Sequence, residues 1–63
     1  MTYDEAVELV KGWPADRSVP KQLADGIKSA KSSERVFMAM LIEALTVAAV
    51  SDQDYALIEK HFD

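Results

Sequence analysis

The longest apolar stretch of the chain runs from Val36 to Val50, where thirteen of fifteen residues are apolar and only Glu43 and Thr46 are not. It contains no glycine or proline and exceeds the usual length of a buried strand, so the pattern predicts a helix. At 100° per residue its apolar side chains cover nearly three quarters of the circumference, whereas an ordinary surface helix has a stripe of somewhat over ~100°. We therefore expect a central helix that its neighbours enclose on several sides.

The amino-terminal segment predicts a first, amphipathic helix. Thr2-x-x-Glu5 is a capping-box pattern, in which the hydroxyl and the carboxylate accept hydrogen bonds from the first free amides of a helix. Gly12, with a proline two residues later, is a stop signal in which the glycine adopts the left-handed conformation. The first helix is therefore expected to end just before Gly12.

Three further start signals divide the rest of the chain. Pro20 suits the first turn of a second helix, because its missing N–H is not needed there. Ser33 is a candidate N-cap for the central helix, and Ser51-x-x-Asp54 repeats the capping logic for a last helix. The predicted helices span residues 3–11, 20–31, 34–50 and 52–62.

These elements predict an all-α fold, a small four-helix array with the third helix central, in a single domain over residues 1–63. The domain is so small that hydrophobic burial only about balances the conformational entropy lost on folding, so we expect tight packing, self-association, or both. The sequence has no cysteine and His61 is its only histidine, so no disulfide, metal site or cofactor is expected.

The central stretch is too short for a membrane-spanning helix. A span needs ~20 apolar residues, and this stretch has Glu43 near its midpoint. The first five residues are polar and acidic, unlike a signal peptide, which favours a cytoplasmic location.

The residues that could support catalysis are few. A nucleophile–base pair would need His61 as its base, and His61 lies close to the carboxyl end, where chains fray. No phosphate-binding loop, nucleophile elbow or zinc spacing is present. Asp52-x-Asp54 resembles the start of a calcium loop but lacks the glycine and the closing glutamate, so helix capping explains it better. We expect no enzymatic activity.

Charge is unevenly distributed along a chain of net charge −4. Residues 1–10 and 36–63 are acidic, and residues 11–35 are basic. If the first and last helices pack side by side, their acids form one surface that binds a basic patch on a partner; otherwise these acids are ordinary solvated faces. The candidate partner-binding residues are Asp4, Glu5, Glu8, Asp52, Glu59 and Asp63.

The basic segment itself is a poor candidate for nucleic-acid binding. It lacks interleaved aromatic side chains, and the overall charge disfavours contact with phosphates, so no direct binding of nucleic acid is expected. Trp13, the only tryptophan, is either a binding hot spot or part of the core, and in so small a domain the core is favoured.

Together these features predict a non-enzymatic interaction module, an inhibitor or adaptor that occupies a basic surface of a larger protein. One form of this function is an inhibitor that competes with nucleic acid for a basic groove. In size, acidity and lack of catalytic groups the chain is similar to small phage-encoded inhibitors of host defence such as anti-CRISPR proteins, although no motif is shared. The alternative is a structural homo-oligomer. We therefore expect the chain to be a monomer under the first interpretation and a homodimer under the second. Its predicted interface is one apolar flank of the central helix: Met38, Ile42 and Ala49.

Overall fold

The computed structural model describes residues 1–62, which form four α-helices: α1 (Tyr3–Val10), α2 (Val19–Ser29), α3 (Ser32–Ala48) and α4 (Asp52–Phe62). The all-α prediction is confirmed. α3 packs against each of the other three helices and is central to the array, as predicted, whereas α1 and α4 make no contact with each other within the described part of the chain.

The predicted starts of α1 and α4 are confirmed in detail. The Glu5 N–H donates to the Thr2 hydroxyl at 3.2 Å, and the Thr2 N–H donates to the Glu5 carboxylate at 2.8 Å, which completes the capping box. At α4 the Asp54 N–H donates to the Ser51 hydroxyl at 3.2 Å. Both helices therefore begin where their polar side chains satisfy the first free amides.

The central helix begins and ends two residues earlier than predicted. Ala30 and Lys31 are extended, and α3 starts directly after them, so Ser33 lies inside the first turn and the prediction that it is the N-cap is wrong. Ala49, also extended, ends the helix. The first helix ends without a left-handed glycine, because no glycine among residues 1–62 has a positive φ, so that prediction for Gly12 is wrong too.

The core lies beneath one side of α3. The largest fully buried side chains come from α2 and α3. Trp13, in the α1–α2 connector, is 6% exposed and belongs to this core, as predicted. The buried apolar cluster consists of Ala6, Trp13, Val19, Leu23, Ala30, Met38, Leu45, Ala49 and Ile58.

The expectation that α3 is enclosed on several sides is wrong. Of the fifteen residues 36–50, ten are exposed, and the buried positions all lie on one side of the helix. α1, α2 and α4 are short and reach only the inner side of α3. The apolar side chains on its outer side are left facing solvent. None of the four helices has the length and apolarity that a membrane-spanning segment requires.

Candidate interaction surface

The acids of α1 are held mainly by local interactions. Glu5 belongs to the capping box, and the backbone and hydroxyl hydrogen bonds of Thr2 hold the pKa of Glu5 below its usual range. Glu8 pairs with Lys11 at 2.9 Å, one turn along the same surface. Of the three α1 candidates, this leaves Asp4 as an exposed acid in the first turn, where it complements the positive end of the helix dipole.

A single acidic surface was predicted on the condition that α1 and α4 pack side by side. That condition is not met, because over residues 1–62 these two helices have no contact. Asp52 and Glu59 are exposed on α4, and Asp63 lies outside the described residues. The acids are therefore distributed over separate helices. The reason is that α2 packs against both α1 and α4.

The flank of α3 that was predicted to pair with a second chain lies inside the subunit. Met38 is fully buried, Ala49 is 8% exposed, and Ile42 is half-buried against the core. The prediction of an oligomer face at these three residues is therefore wrong. They are the side chains through which α3 packs on its own neighbours.

A different apolar face of α3 is open to solvent. Val36, Met40 and Val47 are 66%, 64% and 80% exposed. Their spacing of four and seven residues places them within about 40° of one another around the helix. Glu43, also exposed, lies on the same face. We call Val36, Met40, Glu43 and Val47 the α3 crest.

An aromatic pair extends this apolar surface towards α1. Phe37 is 57% exposed, and its ring meets that of Tyr3 edge-to-face, with centroids 6.1 Å apart and planes at 72°. In this geometry the positive edge of one ring lies against the negative face of the other, which is electrostatically favourable. With the crest, these side chains expose on the order of 500 Å² of apolar surface, towards the upper end of the ~300–600 Å² found for the largest patch on a typical monomer.

Both ends of α3 are fastened by side chains from its own chain. At the start, Arg35 donates to the carbonyls of Lys28 and Ala30 at 2.8 and 3.0 Å and so satisfies the last acceptors of α2. At the end, the Trp13 indole N–H donates to the Leu45 carbonyl at 3.0 Å. The crest therefore lies on a helix whose position is fixed by hydrogen bonds at both termini.

The α1–α2 connector is also joined to α4 through a buried carboxylate. Asp54, only 3% exposed, accepts hydrogen bonds from the Val50 N–H at 2.9 Å and from Arg17. The Arg17 guanidinium lies 5.0 Å from the centre of the Trp13 ring, a cation–π contact. The Val50 amide, followed by the Arg17 guanidinium, lowers the pKa of Asp54.

A simple signal in the sequence marks the exposed face. At 100° per residue, Val36 and Val47 lie about 20° and 40° from Glu43, whereas Met38 lies about 140° away. A charged residue on an otherwise apolar helix marks its solvent side. The flank near Glu43 was therefore the better choice for an exposed surface.

The described residues contain no group of three or more metal-ligating side chains and enclose no pocket. No family model, characterised protein or solved structure is significantly similar to this chain.

Proposed function

We propose that this chain is a small acidic protein-interaction module, an inhibitor or adaptor without enzymatic activity, that docks on a larger protein through the α3 crest. Three large apolar side chains, each at least 64% exposed and aligned on one face of the central helix, support this function. Burial of apolar surface contributes a favourable free energy of roughly 25 cal/mol per Å², and these side chains lack that contribution while they face water. Contact with a partner recovers that free energy.

The charge of the chain supports a partner with a basic surface. The net charge is −4, and both α1 and α4 carry exposed acids, so the chain as a whole has a negative field. Such a field accelerates encounter with a positively charged protein even where no acid contacts it directly. Cytoplasmic action is part of the proposal and agrees with a sequence that contains no cysteine.

A capture experiment with matched variants tests this function. The wild-type chain and the double variant Met40→Lys/Val47→Lys are immobilised and exposed to a lysate of the native host, and retained proteins are quantified by mass spectrometry. We expect at least one protein to be retained in near-stoichiometric amount by the wild type and to fall by at least roughly tenfold with the double variant, because two cations would enter an apolar contact.

The control is Gln22→Lys/Gln53→Lys, which adds the same charge at exposed positions of α2 and α4. It should retain the partner as the wild type does, and circular dichroism should show equal helix content in all three proteins. Equal capture by wild type and the crest variant would refute docking through this face.

A further inference from the structure

The α3 crest is a row of exposed side chains along one helix, and its spacing indicates what it fits. Its members follow the i, i+4, i+7, i+11 pattern, and Phe37 and Tyr3 widen the apolar surface on the side of α1. A row of side chains that projects from a helix forms a ridge. A ridge of this kind buries most of its surface when it enters a groove, as an amphipathic helix does in a hydrophobic cleft.

Glu43 adds a chemical requirement. Its neighbours one turn away on α3 are Ala39, Met40, Thr46 and Val47, none of which is a cation. A carboxylate that enters an apolar contact must be paired, because an uncompensated buried charge is strongly unfavourable. The crest therefore complements a surface that carries its own lysine or arginine.

A second copy of the chain meets neither requirement. Residues 1–62 enclose no pocket into which a ridge could fit, so two copies would meet crest to crest. Crest-to-crest contact would also bring the two Glu43 carboxylates into one apolar interface, where like charges are unfavourable. The one base of α3, Arg35, donates to carbonyls of α2 and lies at the start of the helix, away from Glu43.

We infer that the α3 crest docks into an apolar groove of a different, larger protein. A lysine or arginine in that groove pairs with Glu43. This inference rests on the proposed function and adds the chemistry of the partner. Val36, Met40 and Val47 supply the apolar contact, and Glu43 determines which grooves are accepted.

Site-specific photocrosslinking tests the inference. p-Benzoylphenylalanine replaces Ala44, an exposed residue beside the crest, and crosslinks formed in a lysate of the native host are mapped by mass spectrometry for three versions of the chain: Glu43, Glu43→Gln and Glu43→Lys. We expect attachment within an apolar groove that contains a lysine or arginine. The yield should fall roughly tenfold with glutamine and further with lysine, since each leaves the partner's cation unpaired.

Gln22→Lys/Gln53→Lys, which changes the net charge by as much as Glu43→Lys at exposed positions of α2 and α4, is the matched control and should keep the wild-type yield. Once the groove is mapped, changing its basic residue to glutamate should restore at least roughly tenfold of the binding lost with Glu43→Lys, as expected for a directly coupled pair.

The outcomes separate the two proposals. If no larger protein is crosslinked, the proposed function itself fails. If a larger protein is crosslinked equally by all three Glu43 versions, docking through the crest stands and the ion pair is refuted. Two further outcomes would refute docking into a groove of a larger protein. One is crosslinking to a second copy of this chain, and the other is cosedimentation with phosphatidylcholine vesicles that Met40→Lys abolishes.

Discussion

The Trp13 indole N–H donates to the backbone carbonyl of Leu45 across 32 residues of sequence, at 3.0 Å. Leu45 is among the last four residues of α3, whose carbonyls lack helical partners. The Ala49 N–H, which a continuing helix would direct at Leu45, donates to Thr46 at 3.3 Å instead. Trp13 thus joins the α1–α2 connector to the end of the central helix.

Replacing Trp13 with phenylalanine should destabilise the fold. The ring remains apolar, but the buried Leu45 carbonyl loses its donor, which costs about 1–3 kcal/mol, and the smaller ring leaves a gap. Chemical denaturation measures the change in the free energy of unfolding. Tyr55→Phe, at an exposed aromatic position, is the control and should change stability by less than ~0.5 kcal/mol. Equal effects of the two substitutions would contradict the capping role of Trp13.

The two sides of α3 should respond oppositely to truncation. Leu45 is fully buried, so Leu45→Ala should cost about 2–5 kcal/mol. Val47, two residues further on, is 80% exposed, and Val47→Ala should be neutral or slightly stabilising because alanine favours helix more than valine. Thermal denaturation of both variants gives the comparison. A large loss of stability with Val47→Ala would mean that this face is covered in the free protein.

Stability should decline in acid, and Asp54 should contribute to the decline. The pKa of Asp54 is lowered by the Val50 amide and by Arg17, so the folded state binds its proton less readily than the unfolded chain does. Its contribution is complete above the unfolded pKa, near about 4, and is lost as pH falls through the lower folded pKa. The pKa values of Glu5, Asp16 and Asp25 are lowered as well, which adds to the same trend.

Melting temperatures of the wild type and Asp54→Asn between about pH 2 and pH 7 check this linkage. The variant should melt well below the wild type at neutral pH, and the difference should narrow below about pH 4. Asp52→Asn, which removes the same charge at an exposed position on the same turn of α4, is the control and should melt close to the wild type at neutral pH. A gap between wild type and Asp54→Asn that stays constant with pH would contradict a role for the ionised carboxylate.

Gly12→Ala distinguishes the observed end of α1 from the one that the sequence predicted. Since φ is not positive and the added Cβ would lie 3.5 Å from its nearest neighbours, alanine should fit and stabilise by about 0.4–1 kcal/mol. In a left-handed cap it would destabilise by roughly 1 kcal/mol or more.

Gly26→Ala should stabilise the fold by less than the helix propensity of alanine suggests, because its Cβ would lie 2.7 Å from the Met1 sulfur, which must move.

The pattern of polar residues predicted the starts of α1 and α4 correctly, because a side chain caps each of these helices. Thr2 with Glu5, and Ser51 with Asp54, bond as their spacing indicates. The prediction failed where tertiary contacts decide. Ser33 is not the N-cap, because Ala30 and Lys31 are extended and α3 begins directly after them, at Ser32.

The interaction surface was less accessible to sequence reasoning. Apolar residues around most of α3 indicate that it packs, but they do not indicate how much of it three short helices can cover. Met38 and Met40 are chemically identical, yet one is fully buried and the other is 64% exposed. Glu43 indicates which of the two faces solvent, but only the packing of α1, α2 and α4 determines how much of the helix stays uncovered. Likewise, the sequence left open whether the two acidic helices pack side by side, and this depends on how α2 packs against both of them.

The hydrogen bonds of Arg35 and Trp13 at opposite ends of α3 have a consequence for affinity. A recognition helix that must first become ordered loses conformational entropy on binding, and its affinity falls accordingly. Here that ordering is completed when the domain folds, so the helix is pre-organised before any encounter. A contact of modest area can then hold a partner more tightly than a flexible peptide with the same side chains.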